Sequence, residues 1–165
     1  MVATAMKLFI RHCIAARNTW IAAFLVLLAT VLLYAGFAKF MHKAAFVESL
    51  ASQSLIPEPI ASQFSWGVIL CEIFIACSAV WTITRKRRAD HAAMLLSGIF
   101  LSFTVYSGAL VLHPPPTPVG CGCWGSSDVH PADWTKVFSR NAAASVLLLV
   151  MIPAARQTRA RCSAD

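Results

Sequence analysis

The sequence predicts an all-α membrane protein, a four-transmembrane-helix bundle with a short amphipathic interfacial helix between spans 1 and 2. Three observations carry this. The 165 residues are 58% hydrophobic and only 13% charged, whereas roughly a quarter of a soluble domain is charged. The apolar residues fall in four long blocks rather than amphipathic stripes, and about 20 residues of helix suffice to cross a bilayer core. Finally, the net charge of +7 gathers at the ends of those blocks, where membrane topology uses it. No basic stripe interleaved with aromatics argues for nucleic acid.

Residues 1–18 carry Lys7, Arg11 and Arg17 and read as a cytoplasmic N-terminal segment. They resemble the basic start of a signal peptide, but the apolar block that follows is longer than a signal's core. A retained first span over residues 19–40 is therefore expected, and the basic segment itself has room for a short interfacial helix. The span ends in Tyr34-Ala35-Gly36-Phe37-Ala38-Lys39-Phe40. Gly36 and the alanines allow close helix packing, and Lys39 is placed to snorkel or to form an ion pair.

Between Met41 and Pro59, the residues Phe46, Val47 and Leu50 are assigned to one helical face and His42, Lys43 and Gln53 to the opposite one. This predicts a short helix lying on the membrane surface. Pro57 and Pro59 end it and open the next segment. The second span covers residues 60–84. Trp66 and Trp81 are spaced like interfacial anchors, about 22 Å apart at 1.5 Å per residue. Glu72 lies about 9 Å inside the Trp66 level by the same rise. An ionisable group at that depth needs a partner and is a candidate site residue.

Arg85-Lys86-Arg87-Arg88 reads as a topology determinant. The third span covers residues 91–112, with Ser97-Gly98 and Ser107-Gly108 as small-residue contacts for neighbouring helices. A Pro- and Gly-rich loop, His113 to Asp133, precedes the fourth span over residues 134–155. Lys136 and Arg140 lie in the first turns of that span, and Arg140 is placed at the headgroup level. Residues 156–165 form a basic tail. The N-terminal segment, the Arg85–Arg88 cluster and the tail hold ten of the 14 Lys and Arg residues. An even number of spans puts all three on one side, which the positive-inside rule makes cytoplasmic. The Gly120-Cys121-Gly122-Cys123-Trp124-Gly125 loop then faces outward, where disulfides persist.

That loop is the main candidate for chemistry. Of the six cysteines, Cys13 and Cys162 fall on the reducing side. Cys71 and Cys77 lie within the second span, where a buried thiol acts as a small apolar group. Only Cys121 and Cys123 form a pair on the oxidising side. A disulfide across one intervening residue needs a sharp fold of the backbone, and Gly120, Gly122 and Gly125 supply the freedom for it. A small strained ring favours exchange over stapling. Trp124 is placed to shield the sulfurs or dip into the interface. Lys39, Glu72 and Arg140 are expected to meet beneath the loop, tuning thiol reactivity or pairing as ions.

Other readings stay open. The disulfide can be purely structural. Cys121 and Cys123 with His113 and His130 can in principle supply metal ligands for a carrier or transporter, although the spacing fits no usual zinc module. The loop can also be a rigid epitope of a non-enzymatic assembly factor. No metal or other cofactor is evident, and a quinone has no motif to support it. The expected partners are the lipid bilayer and a thioredoxin-like or secreted protein, with no nucleic acid.

The Tyr34–Phe40 stretch, Glu72, Cys121-Gly122-Cys123-Trp124-Gly125 and Arg140-Asn141 together resemble the MauE branch (methylamine utilisation) of the DoxX-like membrane proteins, from about Trp20 to Arg156. Trp124 departs from the Phe typical there. The resemblance implies a four-helix bundle in the bacterial inner membrane. It implies a redox-active disulfide at the outer face, thiol–disulfide oxidoreductase activity and a thioredoxin-like partner. It assigns the thiols to Cys121 and Cys123, and the lysine, glutamate and arginine to Lys39, Glu72 and Arg140.

Overall fold

A computed structural model of the chain describes residues 2–53, 55–85, 88–116, 120–122 and 132–162. Within these, the side chains of residues 2–18, 154–155 and 157–162 lie outside the description. The described elements are α1 (Val2–Met41), α2 (Lys43–Ser52), α3 (Glu58–Thr84), α4 (Ala89–Leu112) and α5 (Trp134–Cys162), with no strand among them. Four segments are long and apolar enough to cross a membrane: Thr19–Met41, Glu58–Thr84, Ala89–Leu112 and Trp134–Pro153. The protein is a four-helix membrane bundle. The N-terminal segment is not a separate helix, because α1 runs unbroken from Val2 to Met41.

The elements begin and stop for local reasons. Only His42 separates α1 from α2, and helical hydrogen bonds flank it: His42 N–H to the Ala38 carbonyl and Phe46 N–H to the His42 carbonyl, both 3.0 Å. One helix thus follows the other without a loop, with His42 alone leaving the helical conformation at φ −111°, ψ 38°. Pro57 is the residue before α3, and Pro59 sits in its first turn. Proline is tolerated there because the first helical N–H groups have no partner within the helix. This starts α3 two residues before the expected Ile60. Asp133 caps α5, its Oδ1 accepting from the Lys136 backbone N–H at 3.1 Å.

Helix α1 packs on α3, α3 on α4 and α4 on α5, while no Cα of α5 comes within 8 Å of one in α3. The bundle has two ends. At the basic end lie Arg85, Arg88 and Arg156; Arg156 reaches the Met94 sulfur on α4 at 3.9 Å. At the loop end, α2 and residues 120–122 cover the helices.

The outer surface is apolar. Leu27, Leu70, Phe74, Val105 and Val150 are all well exposed, as suits helices solvated by lipid tails. Trp66 and Trp81 are also exposed. The Lys43 ammonium lies 4.4 Å from the Trp66 ring and the Arg85 guanidinium 5.1 Å from the Trp81 ring. Cys71 and Cys77 are free thiols on this outward surface of α3 rather than in its core. Of the small-residue contacts expected on α4, Gly108 packs against the Phe138 ring, 3.2 Å from where a Cβ would lie. Gly98 meets nothing within 4 Å and faces outward, while its neighbour Ser97 is buried.

Candidate functional site

The loop end concentrates the buried polar groups. Gly36 on α1 faces α3 so closely that a Cβ there would lie 3.0 Å from Ile73 Cγ1 and 3.2 Å from Glu72 Cβ. This close approach sets the position of the next polar group. Lys39 lies one turn beyond Gly36 on the same face, and its Nζ donates to Glu72 Oε1 at 2.6 Å. The two side chains are 6% and 0% exposed, so lipid and water are both excluded. The ammonium does not snorkel.

Two aromatic faces complete its surroundings. The ring centroids of Phe46 and Phe103 lie 5.6 and 5.9 Å from Nζ, within the range of cation–π attraction. Glu72 Oε2 has no hydrogen-bond partner among the described residues.

Helix α2 forms the layer above this pair. Phe46 and Leu50 are buried, as the pattern predicts. Gln53 corrects it: the side chain is 1% exposed and points into the protein. Seven residues are two helical turns, so Gln53 shares the face of Phe46 rather than opposing it. Its Oε1 accepts from the Tyr106 hydroxyl of α4 at 2.5 Å. Its Nε2 donates to the Gly120 carbonyl at 3.3 Å and to Ser49 Oγ at 3.2 Å. Ser49 Oγ in turn donates to the same Gly120 carbonyl at 3.2 Å.

The thiol loop rests on this layer. Gly122 is buried with φ +63°, a left-handed conformation that favours glycine. A Cβ at Gly122 would also lie 2.9 Å from Ser49 Oγ and 3.3 Å from Phe46 Cδ2. Phe46 therefore lies between the Lys39 ammonium and the loop at Gly122. Cys121 is half-buried and disulfide-bonded. Cys123, Trp124 and Gly125 lie outside the described residues, as does His130.

Of the three ionisable residues expected to meet beneath the loop, the structure brings together Lys39 and Glu72. Arg140 is exposed on α5, and the backbones of α5 and α3 stay more than 8 Å apart, Cα to Cα. Its position one turn inside the span was legible, but the rotation of α5 turns it away. The buried polar groups on that helix are Asn141 and Ser145. Ser145 Oγ lies 3.3 Å from Thr104 Oγ1 of α4, linking the two helices.

Sequence reasoning missed Ser49, Gln53 and Tyr106. The spacing of Phe46, Ser49 and Gln53 at i, i+3 and i+7 was the available signal for the first two, and nothing in the sequence singles out Tyr106. His113 is exposed. No group of three His, Cys, Asp or Glu placed to hold a metal occurs among the described residues.

No match is found among curated proteins or among solved structures. A family model described as methylamine utilisation protein MauE matches residues 17–154. That stretch takes in every element of the site, from Lys39 and Glu72 through α2 to the Cys121 loop and Arg140. The chain is a multi-pass membrane protein that belongs to the MauE family.

Proposed function

We propose that the protein is a membrane thiol–disulfide redox protein whose Cys121 and Cys123 pass oxidising or reducing equivalents to an extracytoplasmic partner. The observation that carries this is the disulfide at Cys121, held on a docked glycine-framed loop at one end of the bundle. The reading assigns Cys123 as the other half of that bond. It places the chain in a bacterial cytoplasmic membrane with both termini cytoplasmic and the loop outside, because the basic residues cluster at the opposite end.

The chemistry is exchange. A partner thiolate attacks one sulfur of the Cys121–Cys123 bond, forming a mixed disulfide and releasing the other sulfur as a thiolate, which takes up a proton. The partner's second thiolate then breaks the mixed disulfide. Two electrons and two protons pass from the partner dithiol to the pair, and the partner leaves oxidised. The reverse sequence uses the same steps. The partner is a thioredoxin-like or secreted protein whose disulfides form in support of methylamine utilisation. Lys39 and Glu72 serve this site from below. Each neutralises the other, and together they seat Phe46, on which the loop lies.

Trapping tests the reading. Cys121→Ser or Cys123→Ser, made singly, should leave one sulfur to hold a partner as a mixed disulfide that a reductant releases and mass spectrometry identifies. Failure of both variants to capture a partner, with wild-type growth on methylamine in the double variant, would overturn it.

A further inference from the structure

We infer that Gln53, with Ser49, is a positioning clamp that binds the thiol loop selectively in its disulfide form and so sets the dithiol–disulfide equilibrium of the pair. The inference rests on the redox reading above and names the residues that regulate that site.

The clamp is built from three elements. Gln53 and Ser49 project from α2, and both donate to the carbonyl of Gly120, the residue immediately before Cys121. Tyr106 on α4 donates to Gln53 Oε1. That bond fixes which way the amide points, so the NH2 group is aimed at the loop. With the loop docked the glutamine side chain is 1% exposed, so its bond to the Gly120 carbonyl is made away from water, where a lost partner is costly.

The loop geometry explains the selectivity. The docked conformation requires φ +63° at Gly122, in contact with Phe46 and Ser49. A disulfide constrains the backbone around it. Reduction removes that constraint, and a glycine-framed dithiol has many more conformations open to it. The hydrogen bonds to the Gly120 carbonyl therefore hold the closed form better than the open one. Any free energy they contribute to the closed form alone shifts the equilibrium by the same amount.

The test is a glutathione redox titration of the purified full-length protein in detergent, with the loop thiols counted by alkylation. Two glutathione thiols reduce the pair and leave as glutathione disulfide, so no protein partner is needed. Gln53→Met keeps the bulk and removes both amide donors; it should move the equilibrium toward the dithiol by about tenfold, the effect of a hydrogen bond or two. Ser49→Ala should move it the same way by about threefold. Tyr106→Phe leaves the amide donors but frees their direction, and its shift should be smaller than that of Gln53→Met.

A purely structural Gln53 would lower the melting temperature and leave the equilibrium at the wild-type value, which would overturn the proposal. So would a shift toward the disulfide. If Gln53→Met does not fold, the milder Ser49→Ala decides by the same criterion. Because the titration involves no partner, failed trapping of a partner leaves it untouched. Successful trapping with unmoved equilibria in these variants defeats the clamp alone.

Discussion

The two halves of the bundle are built from different materials. Toward the basic end, Leu25 and Ala29 of α1 meet Ala76 and Ala79 of α3, Ala92, Ala93 and Leu96 of α4, and Leu148 of α5. These residues are apolar and mostly small, and they let the helices approach closely; the buried polar groups near them on α4 are Asp90, paired with His91 at 3.2 Å, and Ser97. Toward the loop end, the apolar cluster of Phe46, Leu50, Ile56, Ala61 and Ile69 is interleaved with Lys39, Glu72, Gln53, Ser65 and Ser107, all buried. In lipid, apolar packing brings no gain from leaving water, so close fit holds the first half together. The second half carries groups whose burial is expensive unless each finds its partner. A buried ion pair of that kind, Lys39 with Glu72, lies at the end where the thiol loop docks.

The sharpest way to break the contrast is to remove one member of the ion pair. Glu72→Leu strands the Lys39 ammonium, and Lys39→Met strands the carboxylate. Each should lose about 3–5 kcal/mol, the usual cost of breaking a buried pair. The double variant should recover most of that loss, because replacing both members with apolar groups is often near neutral. Melting in detergent would show it, and a double variant as unstable as the singles would mean the pair does more than satisfy itself.

A smaller effect is expected from Gly36→Ala. Its Cβ meets Ile73 and Glu72 at 3.0–3.2 Å, where overpacking costs about 1–3 kcal/mol. Gly98→Ala, on the outward side of α4 with nothing within 4 Å, should be neutral or gain up to about 1 kcal/mol of helix propensity. Equal melting temperatures for the two variants would remove close approach as the reason for glycine at position 36.

The smallest effect belongs to a second lysine–carboxylate pair, Asp133 and Lys136, 3.1 Å apart and mostly in solvent. The Lys136 backbone N–H, and then its side chain, hold the Asp133 carboxyl below the usual carboxylate range. A depressed pKa stabilises the fold above the unfolded-state value and ceases to do so as pH falls through the folded one. Asp133→Ala should therefore melt slightly below wild type at pH 7 and coincide with it in acid. A difference that persists in acid would point to packing rather than charge.

Much of this was legible in the sequence. Uninterrupted apolar blocks bounded by Arg and Lys define the spans, since bilayer thickness fixes their length. Lys39 and Glu72 stand out because charge is rare inside such blocks. Arg140 has the same rarity but a different outcome: depth along a helix follows from the rise per residue, whereas the direction a side chain faces depends on how the helix is rotated in the bundle. Gln53 shows the opposite failure. Polarity suggested an exposed face, and a buried hydrogen-bond network overrode it. Tyr106 left no trace in the sequence, because its role depends on the chain after α2 bringing Gln53 within reach of α4.

The close approach at Gly36 has one more consequence. A rod with smooth oily flanks has little reason to prefer one depth over another against a similar neighbour. The Lys39–Glu72 contact gives the first two membrane rods a tooth and a notch. Sliding either by a single turn, about 5.4 Å, would pull the charges apart inside hydrocarbon, so the platform beneath the sulfur-bearing loop is kept at one height.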